Sequence, residues 1–462
     1  MISAMIRFAT TFLLALLVLA CPAHASSDAP SAQPTVRVVE DPVFGGQIVT
    51  YSAGSEEAPL VVLIHGLGNA GAGDWQLVIP VLAERYRVLA LDLPGFARSS
   101  KGNHRYGPRE LARAVRGVVG QFTDERFILV GHSMGAAVSL AYADDFPGDL
   151  SRLVLVSMAG VLHPAVYTES LSRLGIREIT GVDVATNPWA ELGLALATEL
   201  LMEGAARLDV DPAILLQTFW MRQAGMRGQP AAIAALALAV HDFGEALRRL
   251  ETPTVLIWGA DDEVAPLRTA RVAAALISDA HLTVMEQVGH VPMSEAPERF
   301  NALLISALAG EIESLPPAIE VEVTAAAAEE VTCQGRKQAR YTGRIDHLKI
   351  SGCDHVLVEN ADLQRISIDG GRLELVDSVV RQGITARNAR LVLTAGSVAG
   401  EPPLVLENTT VDAAGTRFFT NGFVVENRGE LPVTLWLSVS SRLDRGARER
   451  LVHDVVRVHD RW

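Results

Sequence analysis

Positive charge is in short supply in this chain. Its 462 residues carry 40 Lys and Arg against 54 Asp and Glu, a formal net charge of −14. Phosphate backbones are held by clustered Lys and Arg, so this balance argues against a nucleic-acid partner. Beyond the first 25 residues, no apolar run approaches the roughly 20 residues that span a bilayer. Cysteine is scarce too, with only Cys21, Cys333 and Cys353. What is abundant is ordinary: 49% hydrophobic and 20% charged residues, a globular balance with enough apolar material for a large buried core.

The opening segment, MISAMIRFATTFLLALLVLACPAHASS, places Arg7 ahead of an apolar stretch from Phe8 to Ala20, with an A-x-A site at Ala23–Ala25. This predicts a signal peptide over residues 1–25, cleaved on export to the periplasm or beyond the cell. A rival cut takes Cys21 as the lipidated residue of a lipoprotein box, although Leu19 fits that box poorly. Either event leaves Cys333 and Cys353. In an oxidising compartment such a pair is expected to be a disulfide, with two buried free thiols as the alternative.

From about 35 to 310, short apolar runs alternate with helical patterns. PLVVLIHG (59–66), RYRVLALDLPG (85–95), RFILVGHS (126–133), RLVLVSMAG (152–160), PTVLIWGADD (253–262) and HLTVMEQVGH (281–290) read as buried parallel strands, with TVRVVE and GQIVTY as an antiparallel edge. Strand and helix in alternation predict a doubly wound α/β core over 26–160 and 251–312. Residues 161–250 are helical in pattern and too many for a loop. They are expected to form a cap over the strand C-terminal ends, with Phe219, Trp220 and Met221 in its core. After a linker at 313–330 the texture becomes all-β to residue 462. Strand-then-Asn units recur at Asn360, Asn388, Asn408 and Asn427, which favours a β-solenoid with stacked Asn over a sandwich. His347, His355, His453 and His459 lack zinc-ligand spacing, and no metal or cofactor motif is evident.

The chemistry concentrates in GHSMG, residues 131–135. A Ser between an apolar run and a helix is also a good N-cap, so the pattern alone is weak. Its context, a buried strand followed by an Ala-rich helix, predicts a tight turn that exposes Ser133 at the sheet edge. A hydroxyl needs a base, and His290 lies just beyond a later strand. Asp261 and Asp262 lie beyond the strand before that one.

HGLGNAG (65–71), DLPGFARSS (92–100), GHSMG, WGADDEVAP (258–266) and GHVPMSEAPERF (289–300) together resemble the α/β-hydrolase superfamily, its capped esterase-like members in particular. The resemblance covers about 59–303. It implies Ser133 as nucleophile, His290 as base, Asp262 rather than Asp261 as the acid, and the backbone N–H groups of Leu67 and Met134 as oxyanion donors. His65 and His132 are expected to be structural, while His163 and His241 belong to the cap. Ala97 departs from the Gly common in that loop. The implied activity is cleavage of an ester, thioester or similar acyl bond in a small substrate with an apolar part, without a cofactor. Carbon–carbon bond hydrolysis and acyl transfer on the same triad are alternatives. So is a catalytically idle protein whose β half binds a cell-envelope or surface ligand. The texture break predicts separable halves, with activity surviving deletion beyond about 320.

Overall fold

Val, Ile and Leu in unbroken runs suit strands covered on both faces. In the computed structural model, which describes residues 34–163, 213–311, 328–444 and 449–462, such runs build one eight-stranded sheet. Its strands are β1 (Thr35–Glu40), β2 (Gln47–Ala53), β3 (Leu60–Ile64), β4 (Arg87–Leu91), β5 (Phe127–His132), β6 (Leu150–Val156), β7 (Thr254–Gly259) and β8 (Ala280–Met285), in the order β1-β2-β4-β3-β5-β6-β7-β8. β1 and β2 form the antiparallel edge, and the other six run parallel. Alternate residues serve two cores. Val62, Ile64, Leu129 and Leu256 face the helices Pro108–Val119, Met134–Asp145 and Leu267–Leu276, while Val61, Leu63, Val130 and Ile257 face Pro297–Ala309.

The described part of the insertion between β6 and β7 is helical: Ile214–Gln217, Phe219–Met226, Pro230–Ala239 and Gly244–Arg249. The leader with Cys21, residues 164–212 of the expected cap and residues 312–327 lie outside the described residues. Phe219 and Trp220, expected in the cap core, instead lie on the surface at 50% and 76% exposure, with their rings packed edge to face. The short helix that carries them buries none of its residues, so it offers no core face. No described helix is long and apolar enough to cross a membrane.

From residue 328 the chain forms β9 (Ala328–Gln334), β10 (Gln338–Ser351), β11 (His355–Val376), β12 (Val379–Val380), β13 (Ile384–Thr394), β14 (Ser397–Ala399), β15 (Leu404–Glu407), β16 (Thr410–Ala414), β17 (Arg417–Thr420), β18 (Val425–Asn427), β19 (Val433–Asp444) and β20 (Arg450–Val458). β9 to β19 pair in parallel, each coil lying on the one before. Three inward stacks define three sides. Val331, Leu348, Ile366, Ile384, Leu404 and Val425 form one. Ile345, Leu363, Val380, Val398 and Phe418 form the second. Leu373, Leu391, Val411 and Leu435 form the third. All but Val331 are buried. Parallel stacking of this kind excludes a sandwich and makes the half a three-sided β-solenoid. Antiparallel β20 covers the free edge of β19.

The corners explain the Asn residues. A coil turns where φ is positive, a conformation Asn and Gly tolerate best. Gly370, Asn388 and Asn408 fill one corner, and Asn408 Nδ2 donates to Asn388 Oδ1 at 2.8 Å. A single Asn ladder does not form. Asn360 belongs to a different corner with Asp377, and Asn427 turns inward to donate to the carbonyls of Leu431, Val458 and His459. Cys333 and Cys353 are disulfide-bonded at the first coils.

The two halves share a packed core. Ala414 and Val439 of the solenoid are buried in the hydrophobic core of the first half. Arg268 pairs with Asp412 where both side chains are largely buried, at 15% and 5% exposure, and Arg271 pairs with Asp377 at 3.0 Å. Texture marked where the architecture changes, but it carried no sign of ion pairs joining residues more than 100 positions apart.

Candidate active site

Strand β5 ends at His132, and the helix Met134–Asp145 begins one residue later. Such a reversal forces Ser133 to φ +52° and ψ −117°, a sparsely populated conformation that costs about 1–3 kcal/mol. Tight packing enforces it. A Cβ on Gly131 would lie 2.4 Å from the Gly135 carbonyl oxygen, and one on Gly135 would lie 2.3 Å from that of His65. Ser133 N donates to the Val156 carbonyl at 2.9 Å. The Ser133 side chain makes no capping hydrogen bond to its helix. Its Oγ lies 3.0 Å from His290 Nε2 instead.

His290 follows β8, and Asp262 follows β7. His290 Nδ1 donates to the two carboxylate oxygens of Asp262 at 3.1 and 3.0 Å, which fixes the tautomer and leaves Nε2 free to accept a proton from Ser133. Asp262 Oδ1 also accepts from the N–H groups of Val264 and Ala265, so the carboxylate cannot rotate freely. The Asp262 side chain is fully buried, and that of His290 is 16% exposed. Asp261 is exposed, its N–H donating to Val288.

After β3, the segment His65–Leu67 passes beside Ser133. A Cβ on Gly66 would lie 3.3 Å from Ser133 Cβ. Met134 starts its helix, so its N–H has no intrahelical acceptor. His65 is fully buried and bridges two loops: Nδ1 donates to the Gly66 carbonyl at 2.7 Å, and Nε2 accepts from Leu93 N at 2.9 Å. Burial holds its pKa below the usual value, which suits this neutral role. His132 Nε2 donates to the His290 carbonyl at 2.8 Å, and burial pushes its pKa down to about 3.

Two other histidines sit elsewhere. The His163 ring faces His453 of the solenoid at 5.2 Å, and the His241 ring lies on Phe243 at 4.4 Å. Ala97 takes φ +41°, a left-handed conformation natural to the Gly it replaces.

Three supporting carboxylates escaped the sequence reading. Glu295 accepts from the N–H groups of Gly289 and Val291 at 2.6 and 2.9 Å, bracketing His290. Asp92 accepts from Ala72 N, Arg98 N and Tyr51 OH, tying together the loops after β3 and β4. Asp74 accepts from Gly66 N at 3.2 Å, and burial raises its carboxyl pKa. Glu295 and Asp92 lie inside quoted motifs and Asp74 just beyond one, but each acts chiefly on backbone N–H groups, which carry no residue-type signal.

A family model described as the alpha/beta hydrolase family matches residues 61–303. An uncharacterized protein of Mycobacterium tuberculosis is 30% identical over 302 residues, covering 62% of this chain and 84% of that protein. A 2-hydroxy-6-oxononadienedioate/2-hydroxy-6-oxononatrienedioate hydrolase of Paraburkholderia xenovorans is 27% identical over 264 residues, 56% of this chain and 90% of its own. The dihydrolipoyllysine-residue acetyltransferase component of the acetoin cleaving system of Pseudomonas putida is 29% identical over 273 residues, 57% of this chain and 67% of that protein. The sheet order, the strand–turn–helix at Ser133 and the matched span together place this chain in the α/β-hydrolase family.

Proposed function

We propose that this hydrolase is an exported serine enzyme that cleaves an ester, thioester or similar acyl bond, with Ser133 as nucleophile, His290 as base and Asp262 as the residue that orients the imidazole. The observation that carries this reading is the continuous hydrogen-bonded line from Ser133 Oγ through His290 to Asp262. Ser133 Oγ bonds to the acyl carbon while its proton passes to His290 Nε2. The oxyanion then faces the N–H groups of Leu67 and Met134, each worth about 3 kcal/mol in comparable sites. His290 returns the proton to the leaving group as the acyl–heteroatom bond breaks. Water then gives a proton to His290 and bonds to the acyl carbon; the Ser133 Oγ–acyl bond breaks, His290 returns the proton to Ser133 Oγ, and the acid leaves.

Two further observations support parts of this reading. The Cys333–Cys353 disulfide fits the oxidising compartment that the leader implies. The Ala- and Leu-rich composition of the insertion suits a substrate with an apolar acyl part. Hydrolysis of a carbon–carbon bond in a dioxo acid is the second reading, favoured by the name of the Paraburkholderia relative. A chain-length series of nitrophenyl esters and thioesters, run beside a vinylogous dioxo acid, separates the two. Ser133→Ala is expected to lower turnover of the preferred substrate by at least about 10³-fold. Retention of most activity in that variant refutes the nucleophile assignment.

A further inference from the structure

The insertion between β6 and β7 has two hinges, and both touch the solenoid. The outgoing hinge starts beside the nucleophile, where Ser157 N donates to the Ile257 carbonyl, and it runs through buried Met158, Ala159, Val161 and Leu162 to His163. There, His163 N donates to Ser438 Oγ at 2.7 Å. The returning hinge is Asp242–Gly244. A Cβ on Gly244 would lie 2.4 Å from Val439 Cγ1 and 3.5 Å from Leu451 Cδ1, so Gly244 is the residue type that admits Val439. Two neighbouring residues of β19 thus meet the insertion at two places, where it leaves β6 and where the helix Pro230–Ala239 gives way to Gly244–Arg249.

Val439 is also strained. It lies where β19 shifts register against β20, between Leu437 and Ser440, and takes φ +43°. A β-branched residue rarely adopts that conformation. The same solenoid corner is occupied by Asp377, Ala395 and Gly415 in earlier coils, all at positive φ. This corner faces the hydrolase along its length: Asp377 pairs with Arg271, and a Cβ on Gly415 would lie 3.0 Å from Val272. At the last coil the position is taken by a β-branched Val, the residue least suited to it of the four, and its side chain is 2% exposed, inside the hydrolase core. Backbone strain persists where the surrounding packing over-determines it, and it marks positions with a role beyond folding.

We propose that the solenoid is a brace for the active site. Ser438 and Val439 pin the outgoing hinge and the hinge at Gly244, and so set how the described helices after residue 213 are held relative to Ser133 and which acyl chains fit. Both are positioning residues, acting through the hinges rather than on substrate. The claim about acyl chains rests on the serine-hydrolase reading above. The claim about the hinges does not.

Val439→Gly removes the wedge while supplying the residue that best tolerates positive φ, and Ser438→Ala removes the hydrogen bond alone. Amide hydrogen exchange on the full chain is expected to quicken at least fivefold over 157–163 and 242–249 in both variants, with exchange over β3 to β5 unchanged. With nitrophenyl esters, KM for a decanoyl chain is expected to shift at least fivefold, while kcat for acetate stays within twofold. Unchanged hinge exchange in both folded variants overturns the brace, as does quickened exchange with an unaltered chain-length profile. If neither variant nor wild type turns over any ester and Ser133 takes no covalent probe, the hydrolase reading fails, and hinge exchange alone decides whether the brace exists.

Discussion

At the residue scale, the proposed site is a hydrogen-bonded line from Ser133 through His290 to Asp262, held by groups outside that line. Ser133 adopts a costly backbone conformation that places its oxygen on His290, and Glu295 grips the backbone on either side of that imidazole. Small displacements of a catalytic group cost far more in rate than in stability. Glu295→Ala is therefore expected to lower kcat about 10- to 100-fold while changing unfolding free energy by less than about 1 kcal/mol, because the carboxylate is exposed. Stopped-flow acylation and urea unfolding check the two halves of this expectation. Wild-type acylation in the variant removes the positioning role. Ser133, Asp262 and His290 were legible in the sequence because each follows an apolar strand within a short recognisable motif. Glu295, Asp92 and Asp74 were not, because each acts chiefly by accepting backbone N–H groups whose positions are set by the folded loops, and no spacing rule encodes that.

At the element scale, two physical patterns write two different architectures. Unbroken apolar runs separated by helices give a parallel sheet with two cores, and in–out alternation with positive-φ corners gives stacked coils. The first was fully readable, including its antiparallel edge. The second was readable as a tendency toward a solenoid, but the Asn residues overstated the ladder because they serve two corners and an inward cap rather than one column. The disulfide closes 20 residues at the first coils, before the coils that meet the hydrolase. Closing such a loop is worth about 3 kcal/mol. Cys353→Ser is expected to lower stability by about 2–4 kcal/mol in urea while leaving the rate of Ser133 acylation within twofold of wild type. A matching loss of acylation places the first coils in contact with the catalytic machinery.

At the scale of the whole molecule, one packed interface joins the solenoid to the hydrolase, and it carries a pH dependence. His163 and His453 face each other there, with Asp242, Asp412 and Asp454 as the neighbouring charges. Burial lowers the pKa of both, His163 to about 4, helped by the charge of His453 and opposed by Asp454 and Asp412. The unfolded chain binds these protons near pH 6.5, whereas the folded interface excludes them to lower pH. The stability that these two neutral side chains contribute is therefore full above about pH 6.5 and is lost as pH falls toward about 4. His163→Gln is expected to flatten part of that decline when urea midpoints are compared at pH 7.5 and pH 5. An identical decline in the variant removes His163 from the account. Sequence reading placed His163 in the cap and His453 in the β half without linking them, because residues so far apart meet only through the docking of two folded halves.

The central claim is that Ser133 is a nucleophile activated by His290. The most direct measurement is reaction of the native full-length protein with a fluorophosphonate probe, followed by peptide mapping. The account predicts a single stoichiometric adduct on Ser133, slowed at least about 100-fold in His290→Ala. A folded protein that stays unlabelled, or one labelled equally fast without His290, contradicts it.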